Sequence, residues 1–397
     1  MSSIDIKQVA ASDYGDKVRL VADYAFGSSP SVRDASKDEE NLPFLKNVRA
    51  FVAFVDGAPQ AAAGLFPMTQ NVRGKVMKMS GVGGVATLPA ARRQGLIRSL
   101  FSTLYESMHE YGEPVTTLYP FRESFYERLG YAPMSQSKFV RFASATLTPL
   151  AKIEVSGSAE QVFMHDGFDE WREYLKRYQG RTHGFAVNDL ANALSDKKRN
   201  TKWIVFARDQ SGTVVGAATF KITGYTGTLD ANSFYYDSPE ARLLLLQWFG
   251  RHVDQVNEIK ISLAWDDLPE YWAADLYSKV VNHDEFFTTP MGRVVDVAAL
   301  SGLKVGPGSI AIELVDSQCA WNTGTWTLAA GSDGMLEVGR GGEANAALTI
   351  QGLSALVFAG QDPADFRLRG WGDPDHDAQS SLRQMFPRAV VRLHEEF

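Results

Sequence analysis

Residues 81–101 read GVGGVATLPAARRQGLIRSLF, and how this stretch is taken decides the fold. Its opening, with the residues from Lys75, predicts a strand that ends near Val85–Thr87. A loop with Arg92, Arg93 and Gly95 follows. From there Leu96, Leu100, Leu104 and Met108 recur four apart, with Ile97, Phe101 and Tyr105 beside them. That is the apolar stripe of an amphipathic helix. Gly112 ends it, and Pro114 lies beyond.

Three readings of this strand, loop and helix compete. Gly81, Gly83 and Ala86 match G-x-G-x-x-A, but Thr87-Leu88-Pro89 separates them from the helix, where a dinucleotide fingerprint opens the helix directly. A purely structural reading makes the glycines a bulge and the arginines a solvated helix start. Two arginines at a helix N-terminus are electrostatically misplaced unless an anion sits there. The third reading is a diphosphate cradle, in which free backbone N–H groups, the helix dipole and two guanidiniums converge. No G-x-x-x-x-G-K-[ST] occurs, so the cradle is not a P-loop.

Working outward, Ala50–Val55 and Ala61–Met68 are strand candidates joined by Asp56-Gly57, a strong hairpin signal. Residues 1–27 read as a strand and then a helix from Tyr14 to Phe26. Residues 27–41 read as a polar loop. Val115–Tyr119 follows as a buried strand, then a short helix at Glu123–Leu129. The order hairpin, helix, strand then recurs: Trp203–Arg208 and Val214–Ile222, a helix at Ser238–Gln255, and Ile259–Trp265. After Pro290 short alternating strands, a helix at Gly352–Ala359 and a last strand or extended tail at Val390–Leu393 read as a separate α+β unit.

Composition bounds the answer. The 397 residues predict two to three domains, and 45% apolar with 22% charged residues is globular. Forty basic against 47 acidic residues give a net charge of −7. That is a poor footprint for nucleic acid and a better one for cationic small molecules. A single cysteine, Cys319, fits a reducing cytoplasm, although secretion stays open. The N-terminus lacks a signal-peptide pattern, and no apolar run is long enough for a membrane span. The seven histidines show no zinc spacing. Asp373, Asp375, His376 and Asp377 resemble a hard-metal cluster, but Pro374 makes a surface turn the simpler reading, so no metal is expected.

Val85–Pro89 followed by Arg92-Arg93-Gln94-Gly95-Leu96-Ile97 resembles the acetyl-CoA loop of GNAT N-acetyltransferases, R/Q-x-x-G-x-G/A. Phe125-Tyr126-Glu127-Arg128-Leu129-Gly130-Tyr131 resembles their closing motif. Ile97 departs, standing where many members carry Gly or Ala. The whole chain is similar to the Eis acetyltransferases, including Met291–Asp296, Cys319–Asn322, Ala347–Ile350, Leu353 and Phe397. This resemblance implies an α/β (α+β) fold class. Two tandem GNAT-like domains (mixed sheets flanked by helices), 1–150 and 151–289, precede a sterol-carrier-protein-like α+β domain, 290–397. The second half lacks the loop motif and is expected to bind no acetyl-CoA.

The resemblance also implies roles. Acetyl-CoA is the co-substrate. Its pantetheine arm would meet the backbone of Val85, Ala86 and Thr87. Its phosphates would meet Arg92, Arg93, Gln94, Gly95, Leu96, Ile97 and Arg98, and its far end Phe121 and Arg122. Tyr126 would be the general acid, since a phenol with pKa near about 10 can protonate a leaving thiolate. The carboxylate of Phe397 would be the base. Asp23, Tyr24, Phe26 and Glu396 would form an acidic, aromatic acceptor cleft for a cationic amine, aminoglycoside-like, polyamine-like or a lysine. A homohexamer is implied as well. The rival is a non-catalytic protein that binds a lipid or a partner through the last domain.

Overall fold

The computed structural model describes residues 3–27, 35–281, 289–393 and 395. Side chains of 35–39 lie outside this description. Among the described residues three sheets form, with eight, seven and four strands.

The first sheet runs β1 (Ile4–Val9), β2 (Arg49–Val55), β3 (Ala58–Val72), β4 (Lys75–Thr87), β5 (Val115–Leu118), β15 (Met291–Val294) and β6 (Ala132–Pro133). Asp56 and Gly57 both take positive φ, as a tight primed turn between β2 and β3 requires. Alternation along β3 splits two cores. Ala62 faces a cluster with Val21 of helix α1 (Leu20–Phe26), and Ala61 and Ala63 face helix α3 (Leu96–Glu110). Leu96, Leu100, Leu104 and Met108 are all buried there, each stabilising by about 1.5–3 kcal/mol. The stretch expected to be a loop over 27–41 differs. From Ala35 it is helix α2 (Ala35–Leu45), which runs through Pro43. Residues 28–34 lie outside the description.

The second sheet repeats the first. Its order is β14 (Lys279–Val281), β7 (Lys138–Ala143), β13 (Glu258–Leu263), β12 (Thr228–Tyr236), β11 (Val214–Ile222), β10 (Trp203–Arg208) and β8 (Ser158–Phe163). Helices α5 (Met164–Arg181) and α6 (Leu190–Arg199) lie on the side of α5's apolar stripe, and α7 (Pro239–Gly250) packs on the other. Helix α7 ends at Gly250, short of the expected Gln255. A short strand β9 (Ala186–Asn188) pairs back onto β3. Each half lends the other a strand: β7 follows the first half yet closes the second sheet, and β15 follows the second half yet lies between β5 and β6.

The third sheet, β18 (Leu336–Arg340), β17 (Gly324–Ala330), β16 (Ser309–Val315) and β19 (Ala346–Thr349), packs on helix α8 (Ile350–Ala359). Helices α9 (Phe366–Arg369) and α10 (His376–Met385) complete the unit. Leu353, Leu356, Phe366 and Trp371 belong to a buried apolar cluster that runs on into the first sheet, where Phe358 lies against Gly292 of β15. Asp375 of the suspected metal cluster instead caps α10, accepting from the Ala378 N–H at 2.9 Å. Val390–Leu393 continue as extended chain without strand pairing. Among the described residues no helix is long and apolar enough to cross a membrane.

Candidate active site

Strands β4 and β5 are parallel, but they pair only where Met79–Gly81 meet Val115–Thr117. Beyond Gly81 strand β4 runs on to Thr87 beside β3, while β5, paired along its other edge with β15, ends at Leu118. The cause lies in a bulge. Between Gly83 and Ala86 strand β4 spends one residue more than β3, and Gly84 sits at φ 63°. A bulge bends its strand and strengthens the twist. The result is a wedge whose β4 wall, Val82–Thr87, offers backbone groups that β5 does not use. An amide-bearing arm can add to such an edge as a strand would.

The loop after the wedge starts α3 without a side-chain cap. Gly95 sits at φ 82° and Arg93 at φ 64°, left-handed for a non-glycine residue. Ser99 N–H reaches the Gly95 carbonyl at 3.1 Å. The N–H groups of Leu96, Ile97 and Arg98 therefore face off the helix end, where the macrodipole is positive. Arg92 Nε donates to the Thr87 carbonyl at 3.3 Å and Gln94 Nε2 to that of Ala90 at 3.1 Å, which braces the loop. Arg92, Arg93, Gln94 and Arg98 are exposed and Ile97 is half-buried. Leu96 points into the core, so only its N–H can face a phosphate. A Cβ at Gly95 would meet open space, so glycine is needed there for its φ. Val85 and Thr87 are half-buried, and Ala86 packs toward α1.

Helix α4 (Glu123–Glu127) carries Tyr126, which is only 3% exposed. Rings of Phe125, Phe121, Phe101 and Tyr131 surround it, with centroids 5.1–6.1 Å away. Val82, Leu118 and Tyr126 belong to one apolar cluster, against which Val85 packs, so Tyr126 lies under the wedge. Its hydroxyl has no hydrogen-bond partner among the described residues. Burial, then the neighbouring Tyr131, pushes its pKa well above the ordinary phenol value. It stays protonated at neutral pH, with an O–H free to donate. The nearby Tyr131 differs, because its hydroxyl lies 3.4 Å from Thr116 Oγ1. Burial raises Tyr131 to about 12. Phe121 and Arg122 are exposed, and Phe121 packs on Phe125 at 5.2 Å.

The expected acceptor residues are less gathered. Helix α1 packs on the face of β3 and β4 opposite to Tyr126. Tyr24 and Phe26 are 56% and 67% exposed, whereas Asp23 is half-buried and ion-paired with Arg19 at 3.6 Å. Glu396 and Phe397 lie outside the described residues. The chain leading to them is anchored. Val391 N–H donates to Ser135 Oγ at 3.1 Å, and the Leu393 carbonyl accepts from Tyr119 and Ser137 at 3.4 Å each. A cavity of about 650 Å³ opens beside this tail, lined among others by Tyr119, Phe139, Trp171, Asn232 and Glu395. Its walls come mostly from the second half, between Met164 and Ser262, joined by Tyr119, Pro290 and the tail, so no local motif announces it.

The second half lacks the open helix start. Ser238 Oγ accepts from the Ala241 N–H at 3.2 Å, Pro239 opens α7 and Glu240 lies in its first turn.

Residues 5–134 match the family model of an acetyltransferase (GNAT) domain, and residues 297–390 that of a sterol carrier protein domain. Solved structures share the fold over the whole chain. A probable N-acyltransferase from Enterococcus faecalis is 19% identical with a TM-score of 0.85, all of both chains being covered. A GCN5-related N-acetyltransferase from Anabaena variabilis is 18% identical, with the same coverage and TM-score. Eis1 from Mycobacterium abscessus is 17% identical over 99% of this chain and 100% of that one, with a TM-score of 0.78. No curated protein matches the sequence.

Proposed function

We propose, for a chain that is a GNAT acetyltransferase with a sterol carrier protein domain at its far end, that it moves acetyl from acetyl-CoA to a primary amine. The observation that carries this reading is the wedge between β4 and β5 opening onto the uncapped start of α3. Backbone groups of Val85–Thr87 suit the amides of the pantetheine arm. The N–H groups of Leu96–Arg98, with Arg92 and Arg93, suit its diphosphate.

Acetyl-CoA supplies an activated thioester carbonyl. The neutral amine attacks that carbon, the new C–N bond forms, and the C–S bond breaks. The leaving thiolate takes the proton of Tyr126, a phenol that is protonated at neutral pH. On the family resemblance alone, the carboxylate of Phe397 takes the proton that the amine sheds. A cationic acceptor, with Asp23, Tyr24, Phe26 and Glu396 around it, rests on the family resemblance and on the exposure of the Tyr24 and Phe26 rings. The resemblance also carries a homohexamer, which sedimentation measures directly.

The test is release of CoA thiol from acetyl-CoA with a panel of spermidine, kanamycin and lysine peptides. Amine-dependent release is expected, and the fastest amine defines the acceptor class. Failure to bind acetyl-CoA at all overturns the reading.

A further inference from the structure

We infer that the C-terminal domain is a positioning element of the transfer site, setting the orientation of Tyr126 through its neighbour Glu127. The inference rests on the reading of Tyr126 as the acid.

Helix α4 is five residues long, far too short to hold its own direction. Its direction therefore comes from what grips it. One carboxylate oxygen of Glu127, Oε1, accepts from Arg369 Nη2 at 2.9 Å, Arg369 Nε at 3.1 Å and Trp371 Nε1 at 2.9 Å. The Glu127 carbonyl accepts from Gln351 Nε2 at 2.8 Å and from the Gly130 N–H at 3.0 Å. All three side-chain donors stand on the C-terminal domain: Gln351 on α8, Arg369 at the end of α9, and Trp371 just after it. The grip is itself stiff. The Arg369 guanidinium lies 4.4 Å from the centroid of the buried Trp371 ring, and Gly370 between them takes φ 67°.

A second tie lies three residues past Tyr126. The Leu129 carbonyl accepts from Tyr105 at 2.8 Å and from Arg293, whose Nη2 lies 2.9 Å from both carboxylate oxygens of Asp316. A Cβ at Gly130 would run into the Arg293 guanidinium, so the chain passes as close as glycine allows. Tyr126 is thus followed by two fastened residues, Glu127 held by the C-terminal domain and Leu129 held by Arg293 of β15 and Tyr105 of α3. A shift of about 1 Å in a group that must meet a leaving atom costs as much as 10²-fold in rate.

The experiment is a double-mutant cycle in the full chain, with acetyl-CoA and the fastest amine of the panel. Arg369→Ala and Glu127→Gln each lower kcat about 10–30-fold, leave KM for acetyl-CoA within twofold, and lose this effect in a Tyr126→Phe background. Arg369→Lys recovers part of the rate. Arg383→Ala, which breaks the ion pair with Asp362 elsewhere in the same domain, keeps the wild-type kcat. A readout that needs no acceptor is 19F resonance from 3-fluorotyrosine placed at position 126: one narrow line in the parent, shifted or broadened by Arg369→Ala. Equal losses in both backgrounds, or an unmoved resonance, overturn the positioning role alone. A Tyr126→Phe enzyme at the wild-type rate overturns the acid assignment, and the positioning role with it.

Discussion

The two GNAT-like halves have one architecture and two different helix starts. In each, a hairpin leads into a strand that makes the sheet's parallel pair, β4 with β5 and β12 with β13. In each, that strand spends one extra residue against its hairpin partner, between Gly83 and Ala86 in the first and between Asp230 and Ser233 in the second. The bulge is therefore a property of the fold. What differs is the helix that follows. Helix α3 begins with Gly95 behind two arginines, a start that opposes the macrodipole and wants an anion. Helix α7 begins with Ser238, Pro239 and Glu240, a start that satisfies itself. A handful of residues at one helix end separate a start that suits an anion from a structural copy that does not.

Four measurements break or sharpen this contrast. The largest effect is expected from Tyr126→Phe, about 10²–10³-fold in kcat with KM for acetyl-CoA little changed. Steady-state kinetics checks it, and a near-normal rate would leave the first half without its distinguishing acid. Next, the pair Arg92→Ala and Arg93→Ala weakens acetyl-CoA binding about 10–30-fold, in line with the loss of charge-assisted hydrogen bonds. Arg242→Ala, in the first turn of α7, leaves the Kd alone. Calorimetric titration of both variants decides it, since equal losses would make the two helix starts equivalent.

The third concerns Glu395, which lies between the halves. Burial first, and Asp196 second, push its carboxyl from an ordinary 4.5 up to about 7, against the pull of Lys202, Arg172 and the Asn188 amide at 3.0 Å. The folded chain holds a proton that the unfolded chain releases. This contribution is whole below about pH 4.5 and is lost as pH rises through about 7. Because Glu395 is only half-buried by exposed area, the loss is put at about 1–2 kcal/mol. Urea midpoints at pH 5 and 7.5 should differ more for the parent than for Glu395→Gln, and an equal difference removes the account. The smallest effect is Ser238→Ala, about 1 kcal/mol of stability with acetyl-CoA affinity untouched. Any change in that affinity would mean that the second helix start is not merely a cap.

Much of this was legible from local pattern. The stripe from Leu96 to Met108, the Asp56-Gly57 turn and the loop around Gly95 each follow from period and residue type, and the structure has them in place. The repeat was legible as an order of elements. Other features have no local signature. Strand β15 is four residues, Met291–Val294, and finds Val115–Leu118 across the length of the second half. Ties such as Gln351 to Glu127 join residues that no periodicity links. The α7 boundary is misread because apolar residues continue past Gly250 to Val253 and Val256, although the chain there has already left the helix for turns. Asp23 shows another limit of local pattern: an acid on an exposed stretch of sequence, it has an intrahelical partner four residues back.

The exchange of strands also dictates an order of assembly. The second sheet has its core strands once residue 263 has been made, because β7 is already waiting. The first sheet cannot be finished until residues 291–294 emerge, about 170 residues after β5. At roughly 5–20 residues per second of synthesis, that is about 10–30 seconds in which β5 offers a bare edge. The half that begins first is completed last, so the wedge beneath its helix takes final shape only after the copy that lacks the arginines.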